Sequence, residues 1–73
     1  MSKLNSHIKS FICENSDGYF AALLENGSVR IGLLGNECFD FPASHAEFNR
    51  CNDLSNETVE DTYDEFYGRY CCI

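Results

Sequence analysis

The 73-residue chain carries a formal net charge of −7, and 44 % of its residues are hydrophobic while 23 % are charged. This composition excludes a disordered chain and predicts one small globular domain over residues 1–73, with a core limited by the short length. The negative charge disfavours direct binding to nucleic acid or to an anionic membrane, and no segment approaches the roughly 20 apolar residues of a membrane span.

Residues 5–13 are compatible with a helix or a strand. The apolar side chains of this stretch, together with the residue just before it, recur at i, i+4, i+7 and i+8, which is the spacing of one helix face. They are Leu4, Ile8, Phe11 and Ile12. The strand remains the alternative, because Ile8, Phe11 and Ile12 favour β structure although they do not alternate cleanly. We therefore expect an N-terminal helix, with a strand as the second interpretation.

An antiparallel β-hairpin is predicted over residues 19–34. Two apolar runs, YFAALL at 19–24 and SVRIGLL at 28–34, flank the dipeptide Asn26-Gly27. Both residues of this dipeptide tolerate the positive φ that a type I′ turn requires, so the pair indicates a tight hairpin turn.

The second run of the hairpin predicts which face of the sheet is buried. The alternation of its residues indicates one buried face and one wetter face. The buried face holds Val29, Ile31 and Leu33, and the wetter face holds Ser28, Arg30 and Gly32. A short third strand is predicted at 37–41, where it is ended by Pro42, which has no N–H for a ladder.

The segment after this strand predicts a short helix and then a loop. Residues 43–48 offer Ser44 as a cap with Glu47 three residues later, the pattern of a capping box. Residues 49–54 are mostly polar and are expected to form a loop.

The C-terminal stretch SNETVEDTYDEFYGRY predicts an acidic amphipathic helix over residues 56–68, with Ser55 as its cap. Its apolar positions follow one helix face. They are Val59, Tyr63, Phe66, Tyr67 and Tyr70. We expect all of them except Tyr67 to pack in the core. Helix, hairpin and third strand together predict an α+β domain.

The charge is unevenly distributed along the chain. Residues 1–36 hold three basic and three acidic side chains, whereas residues 37–73 hold nine acids and two arginines and therefore carry the whole −7. Carboxylates beside an aromatic ring attract Arg and Lys, so the predicted partner is a basic protein surface. The candidate partner-binding residues are Glu57, Glu60, Asp61, Asp64, Glu65 and Tyr67.

No catalytic, cofactor or metal site is predicted. The five cysteines lack the C-x₂-C or H-x₃-H spacing of structural zinc sites. No nucleophile elbow, phosphate-binding glycine loop or H-E-x-x-H motif occurs, so we expect no enzyme. The odd number of cysteines and the lack of a signal-peptide-like apolar region predict free thiols and a cytoplasmic location, which for a viral protein is the host cytoplasm.

In size, acidity and lack of catalytic motifs, the chain resembles small phage-encoded inhibitors, including nucleic-acid mimics and anti-CRISPR proteins. That resemblance implies a protein that covers the nucleic-acid-binding surface of a partner, with carboxylates where phosphates would bind. The alternative is a structural or self-associating module without an inhibitory role, whose aromatic stripe forms the core or a dimer interface. A homodimer is compatible with both interpretations.

Overall fold

The computed structural model describes residues 7–70, which form a four-stranded antiparallel sheet with two helices packed on one face. The strands follow chain order across the sheet, so each strand pairs with the next. The elements are β1 (Ile8–Glu14), β2 (Tyr19–Leu24), β3 (Val29–Leu33), β4 (Cys38–Phe41), α1 (Phe48–Asn52) and α2 (Val59–Tyr70). The predicted α+β class is confirmed.

An N-terminal strand, β1, takes the place of the helix favoured for residues 5–13. The helix is wrong and the strand alternative is right, while the first residues of that range lie outside the described part of the chain. The register with β2 shifts between Ile8 and Ser10 and again between Phe11 and Cys13. Each bulge adds one residue to β1, so its apolar side chains lose the period of two. Two bulges therefore produced the spacing that resembled a helix face.

The hairpin predicted over residues 19–34 is confirmed as β2 and β3, but its turn is not type I′. A type I′ turn needs positive φ at both Asn26 and Gly27, and only Gly27 has it, at +88°. The Gly27 N–H donates to the Leu24 carbonyl (3.0 Å), and the Leu24 N–H donates to the Ser28 carbonyl (2.8 Å). These bonds close a three-residue loop with glycine at its left-handed position. Asn26 instead accepts the Ser28 N–H on its side-chain oxygen.

The short strand predicted at 37–41 is confirmed as β4. It pairs with β3 along its length, and its last residue, Phe41, lies opposite Val29. Pro42 follows directly, and its missing N–H prevents a further ladder bond.

The helix expected at 43–48 forms later along the chain, as α1, and the loop predicted at 49–54 is wrong for the same reason. The Glu47 N–H donates to the ring Nδ1 of His45 at 3.0 Å. The predicted capping box with Ser44 therefore does not form, and no side chain caps α1.

The main core lies between the sheet and the two helices. Val29 and Ile31 are completely buried there, as their alternation predicted. The other buried members are Cys13, Ala21, Phe41, Cys51, Leu54, Val59, Tyr63 and Phe66. The rings of Phe41 and Phe66 meet edge to face, with centroids 5.2 Å apart. Aromatic side chains thus supply much of the apolar area that a chain of this length needs.

On the second face of the sheet, away from the helices, the residues of β2 and β3 are also buried, which contradicts the wetter face predicted for β3, whereas Phe11 and Asp40 on the outer strands are exposed. Phe20 and Ala22 of β2 form a second apolar cluster. Beside them Arg30 is only 2 % exposed, and its guanidinium donates two hydrogen bonds to the Asp40 carboxylate, at 2.6 and 2.9 Å. A buried cation is tolerated here because a carboxylate compensates its charge and binds its N–H groups.

The acidic helix is confirmed as α2, with boundaries shifted from the predicted 56–68 to Val59–Tyr70. Ser55 lies at the turn that precedes the helix. Its carbonyl accepts the Val59 N–H (3.0 Å), and its hydroxyl accepts the Glu57 N–H (3.3 Å). Ser55 therefore holds a turn that precedes the helix, but the prediction that it caps the helix itself is wrong, because the regular helix begins four residues later.

Candidate partner-binding surface

The inner face of α2 fixes the orientation of the helix. Val59, Tyr63 and Phe66 are buried against the sheet, as predicted. The Tyr63 hydroxyl also donates to the Glu37 carbonyl at 2.7 Å, which joins α2 to the segment between β3 and β4. Tyr70 is 47 % exposed, so the prediction that it packs in the core is wrong. It lies at the border of the core, with its ring centroid 6.0 Å from that of Phe66.

The six candidate residues do not form a single surface. Three of them, Glu60, Asp64 and Tyr67, lie on one flank of α2. Glu60 and Asp64 are one helical turn apart, and side chains at that spacing are neighbours. The Tyr67 ring lies 6.0 Å from the buried Tyr63 ring and is 42 % exposed. This flank therefore presents two carboxylates beside an accessible ring.

Two residues outside the helix extend this flank. Tyr19 of β2 packs edge to face on Tyr63, with ring centroids 5.5 Å apart. Desolvation raises the pKa of the Tyr19 phenol, and the charge of Asp64 raises that pKa further, as does a hydrogen bond between the two side chains. The charges of Glu60 and Asp17 act in the same direction. We name this surface the acidic edge; it consists of Asp17, Tyr19, Glu60, Asp64 and Tyr67.

Glu65 lies on the opposite flank of α2, where intramolecular ion pairs occupy it. Its carboxylate accepts a hydrogen bond from Arg50 of α1 (2.9 Å) and another from Arg69, one turn along α2 (2.7 Å). Glu47 completes the group, at 3.0 Å from Arg69 and 3.6 Å from Arg50. We name these four residues the ion cluster. It has no net charge, and we therefore leave Glu65 out of the acidic edge.

The ion cluster lies against a core ring and joins the two helices. The guanidinium carbons of Arg50 and Arg69 lie 5.4 and 5.9 Å from the Phe66 ring centroid. The hydrogen bond from Arg50 lowers the pKa of Glu65 below the ordinary carboxyl value, and Arg69 acts in the same direction. The same bond raises the pKa of Arg50. These contacts give the cluster a structural role.

The last two candidates, Asp61 and Glu57, lie apart from the acidic edge. Asp61 points away from the buried face of α2, and Glu57 precedes the helix, beside Ile12 and Cys13. Both are exposed, and neither forms an ion pair within residues 7–70. They add to the negative field around α2.

The unpaired charge of the described residues is almost wholly negative. Every arginine is bound, Arg30 to Asp40 and the other two within the ion cluster. Lys9 is the one other Lys or Arg between residues 7 and 70. Nine of the twelve acids, all but Asp40 and the two of the ion cluster, have no Arg or Lys partner in this range. Three of these nine acids, Asp17, Glu60 and Asp64, belong to the acidic edge, whereas the ion cluster on the opposite flank of α2 is neutral.

The described residues were considered as a metal site and as cysteine nucleophiles. Among them, no three His, Cys, Asp or Glu side chains converge as a metal site would require. Cys13, Cys38 and Cys51 are free thiols. Burial raises the pKa of Cys13, and it raises that of Cys51 to about 12, so both are protonated near neutral pH and are poor nucleophiles. That the protein lacks a metal, a cofactor and an enzymatic activity stays a prediction.

The residues that sequence reasoning missed are Asp17 and Tyr19. The alternation of β2 places Tyr19 on the same face as the buried Ala21, which was the one available signal. The sequence does not indicate that α2 crosses this end of the sheet.

In the described residues, neither helix has the length and apolar character that crossing a membrane requires.

No family model matches this chain, and no curated protein or solved structure was found to be similar to it.

Proposed function

We propose that this protein is a small, non-catalytic inhibitor that uses its acidic edge to cover a basic surface of a partner protein. The surface it covers is one that otherwise binds nucleic acid, so the inhibitor is a nucleic-acid mimic, as in the phage-encoded inhibitors that it resembles. A cytoplasmic location, in the host for a viral protein, is consistent with the free thiols of the described cysteines.

The observation that carries the proposal is that some acids of α2 and its surroundings bind arginine while others have no basic partner among the described residues. Glu47 and Glu65 bind arginines of their own chain. Glu60 and Asp64, on the other flank of the same helix, have no basic partner within residues 7–70. Because the buried Tyr63 fixes the helix, these two carboxylates are held in place for the cations of another protein.

Carboxylates and tyrosines together can bind the groups that recognise a phosphate backbone. A carboxylate accepts the paired N–H groups of Arg in the same way as a phosphate does. The rings of Tyr19 and Tyr67 offer faces to a guanidinium, an interaction worth about 0.5–1 kcal/mol at exposed sites. Aromatic residues and arginine are also the commonest hot spots of protein interfaces.

Charge reversal on the acidic edge tests the proposal. The full-length wild-type chain is used to capture a partner from host lysate at low salt. The dissociation constant of the purified partner is then measured for the wild type and for Glu60→Lys/Asp64→Lys. We expect the variant to bind at least about tenfold more weakly, because like charges would then face each other. The wild-type affinity should also fall between low salt and about 0.15 M salt.

Glu25→Lys/Asp53→Lys is the matched control. It changes the net charge equally, at exposed sites outside α2 and the acidic edge, and it should retain the wild-type affinity. Thermal unfolding of both variants checks that the fold is intact. Wild-type affinity after reversal of the acidic edge would refute the proposal, and equal losses in both variants would assign binding to net charge alone.

Self-association is the second candidate function, and the exposure of Phe11 (50 %) and Leu34 (57 %) favours it. The protein would then be a structural module that forms a homodimer. Mutual repulsion of two chains of charge −7 opposes this arrangement. Sedimentation equilibrium distinguishes the two functions, because a chain that stays monomeric throughout the binding assay is not a self-associating module.

A further inference from the structure

A small apolar pocket opens beside the acidic edge. It has a volume of about 230 Å³. Its lining includes the apolar side chains of Phe11, Phe20 and Leu34, together with Gly18 and Tyr19. We name it the Phe11/Leu34 pocket. Phe11 and Phe20 lie on the face of the sheet away from the helices, and the pocket adjoins the acidic edge at the β1–β2 turn, through Asp17 and Tyr19.

The walls of the pocket are held at a fixed separation. The Leu34 N–H donates to the Gly18 carbonyl at 3.0 Å, which joins the β1–β2 turn to the β3–β4 turn. The Phe11 and Phe20 rings meet edge to face, with centroids 5.8 Å apart. A Cβ at Gly18 would lie 3.4 Å from the Leu34 Cβ, so glycine keeps the space between the two turns open. Such a preformed pocket loses little freedom when it is filled.

The size of the pocket suits one side chain. An apolar cavity of about 150 Å³ accepts a benzene ring, whereas pockets for larger ligands begin at about 300 Å³. The Phe11/Leu34 pocket lies between these values. Its two most exposed apolar residues, Phe11 and Leu34, would be removed from water by an inserted ring or aliphatic chain.

The charges around the opening determine which occupant fits. Glu14 lines the pocket, and Asp17 lies in the adjoining turn. Neither has an Arg or Lys partner in the part of the chain that the structure describes. A second copy of this chain would bring like charges together, and an anionic lipid surface would be repelled. Charge complementarity therefore favours a basic protein segment.

We propose that the Phe11/Leu34 pocket receives one apolar side chain of the partner, flanked in the partner's sequence by Lys or Arg. This inference rests on the proposed function and adds the chemistry of one partner side chain, which we call the anchor. The apolar side chain fills the pocket, while the flanking cations contact Glu14 and the acidic edge, of which Asp17 lies in the turn beside the pocket. Aromatic residues and arginine in desolvated pockets are the usual hot spots of protein interfaces.

A pair of synthetic peptides tests the inference on the intact chain. The probes are Arg-Lys-Phe-Lys-Arg and Arg-Lys-Ser-Lys-Arg, both acetylated and amidated, and binding is followed by amide chemical shifts of the ¹⁵N-labelled protein. We expect the Phe peptide to bind about tenfold more tightly, because burial of a ring is worth at least that ratio. Its shifts should include Gly18 and Leu34 as well as α2.

The variant Leu34→Ser removes one wall of the pocket at an exposed position. It should bind both peptides equally, with the affinity of the wild type for the Ser peptide. The comparison of the two peptides on the wild-type chain does not depend on the folding of this variant.

Three results would overturn the inference. Equal binding of the two peptides to the wild type, with shifts confined to α2, would leave the proposed function intact but exclude the pocket as its anchor. Absence of binding by both peptides would also exclude the anchor, and the charge-reversal variants would then decide the proposed function separately. Concentration-dependent shifts at Phe11 and Leu34 without peptide would assign the pocket to a second copy of the chain.

Discussion

At the residue scale, the contact between Phe20 and Gly32 determines how closely β2 and β3 pack on the second face. The two residues lie opposite each other in the sheet. A Cβ on Gly32 would lie 2.8 Å from Cζ of Phe20 and 3.1 Å from Cβ of Cys38. Gly32 is not among the residues with positive φ. Glycine is therefore required here because the Phe20 ring and Cys38 occupy the space of a Cβ, and not because of the backbone conformation.

Substitution of this glycine should be costly. Gly32→Ala should lower the free energy of unfolding by about 1–3 kcal/mol, because the Phe20 ring or the strand must move. Gly68→Ala is the matched control, since its added Cβ meets no atom within 4 Å. That variant should gain about 1 kcal/mol from the better helix propensity of alanine. Urea unfolding measures both changes, and a Gly32→Ala variant as stable as the wild type would contradict the explanation.

At the element scale, α1 depends on α2. Five residues are too few for a helix to be stable alone. The buried Cys51 attaches α1 to the core, and Arg50 attaches it to Glu65 of α2. Loss of the Arg50–Glu65 contact should therefore weaken the packing between the helices before it affects the sheet.

This contact predicts a specific dependence on pH. The pKa of Glu65 is lowered in the folded protein, so its contribution to stability is present above the ordinary carboxyl pKa, near 4.5. The contribution is lost as the pH falls from that value through the lowered pKa. Glu65→Gln should thus lower the melting temperature at neutral pH, and its difference from the wild type should shrink as the pH falls below about 4.5.

Thermal unfolding from pH 7 to pH 3 measures this difference. Asp61→Asn is the control, because Asp61 is exposed and has no ion pair within residues 7–70. Its melting temperature should stay close to that of the wild type near neutral pH. A Glu65→Gln deficit that is the same at pH 7 and pH 3 would show that the carboxylate charge is not responsible.

The elements that sequence predicted well are those with a local cause. The β2–β3 hairpin follows from two apolar runs and the positive φ of Gly27, although the turn type was wrong because Asn26 did not adopt positive φ. β1 was predicted only as the alternative to a helix, because its bulges are determined by pairing with β2, which the sequence does not display. α1 was misplaced because a bond from Glu47 to the His45 ring replaced the expected cap.

At the scale of the whole molecule, repulsion between acids should make the stability depend on salt. Nine acids have no Arg or Lys partner within the described residues, and their mutual repulsion opposes the compact state. Salt screens this repulsion, with a Debye length of about 10 Å at 0.1 M. We expect the melting temperature to rise between low salt and about 0.15 M sodium chloride.

The charge variant Glu57→Gln/Asp61→Asn should show a smaller rise, since it removes two of these acids. Scanning calorimetry of the wild type and this variant measures both responses. A melting temperature that falls with salt would show instead that the exposed bridges of the ion cluster dominate the electrostatic energy.

The candidate surface was only partly visible in the sequence. Periodicity located the buried face of α2 correctly at Val59, Tyr63 and Phe66. The spacing of Glu65 and Arg69, one turn apart, already indicates an ion pair. The approach of Arg50 and the position of Tyr19 beside α2 depend on how distant segments meet. The residue pattern within one helix carries no information about such tertiary contacts.

The chain-order arrangement of the strands has a consequence for the route by which the protein folds. Each strand needs only a short turn to reach its neighbour, so the sheet can form by successive local closures, each with a small entropy cost. Docking of α2 on β2 is the step that joins segments far apart in the chain. Proteins dominated by local contacts fold quickly. The sheet is therefore expected to assemble early, and the surface assigned to partner binding to be completed last.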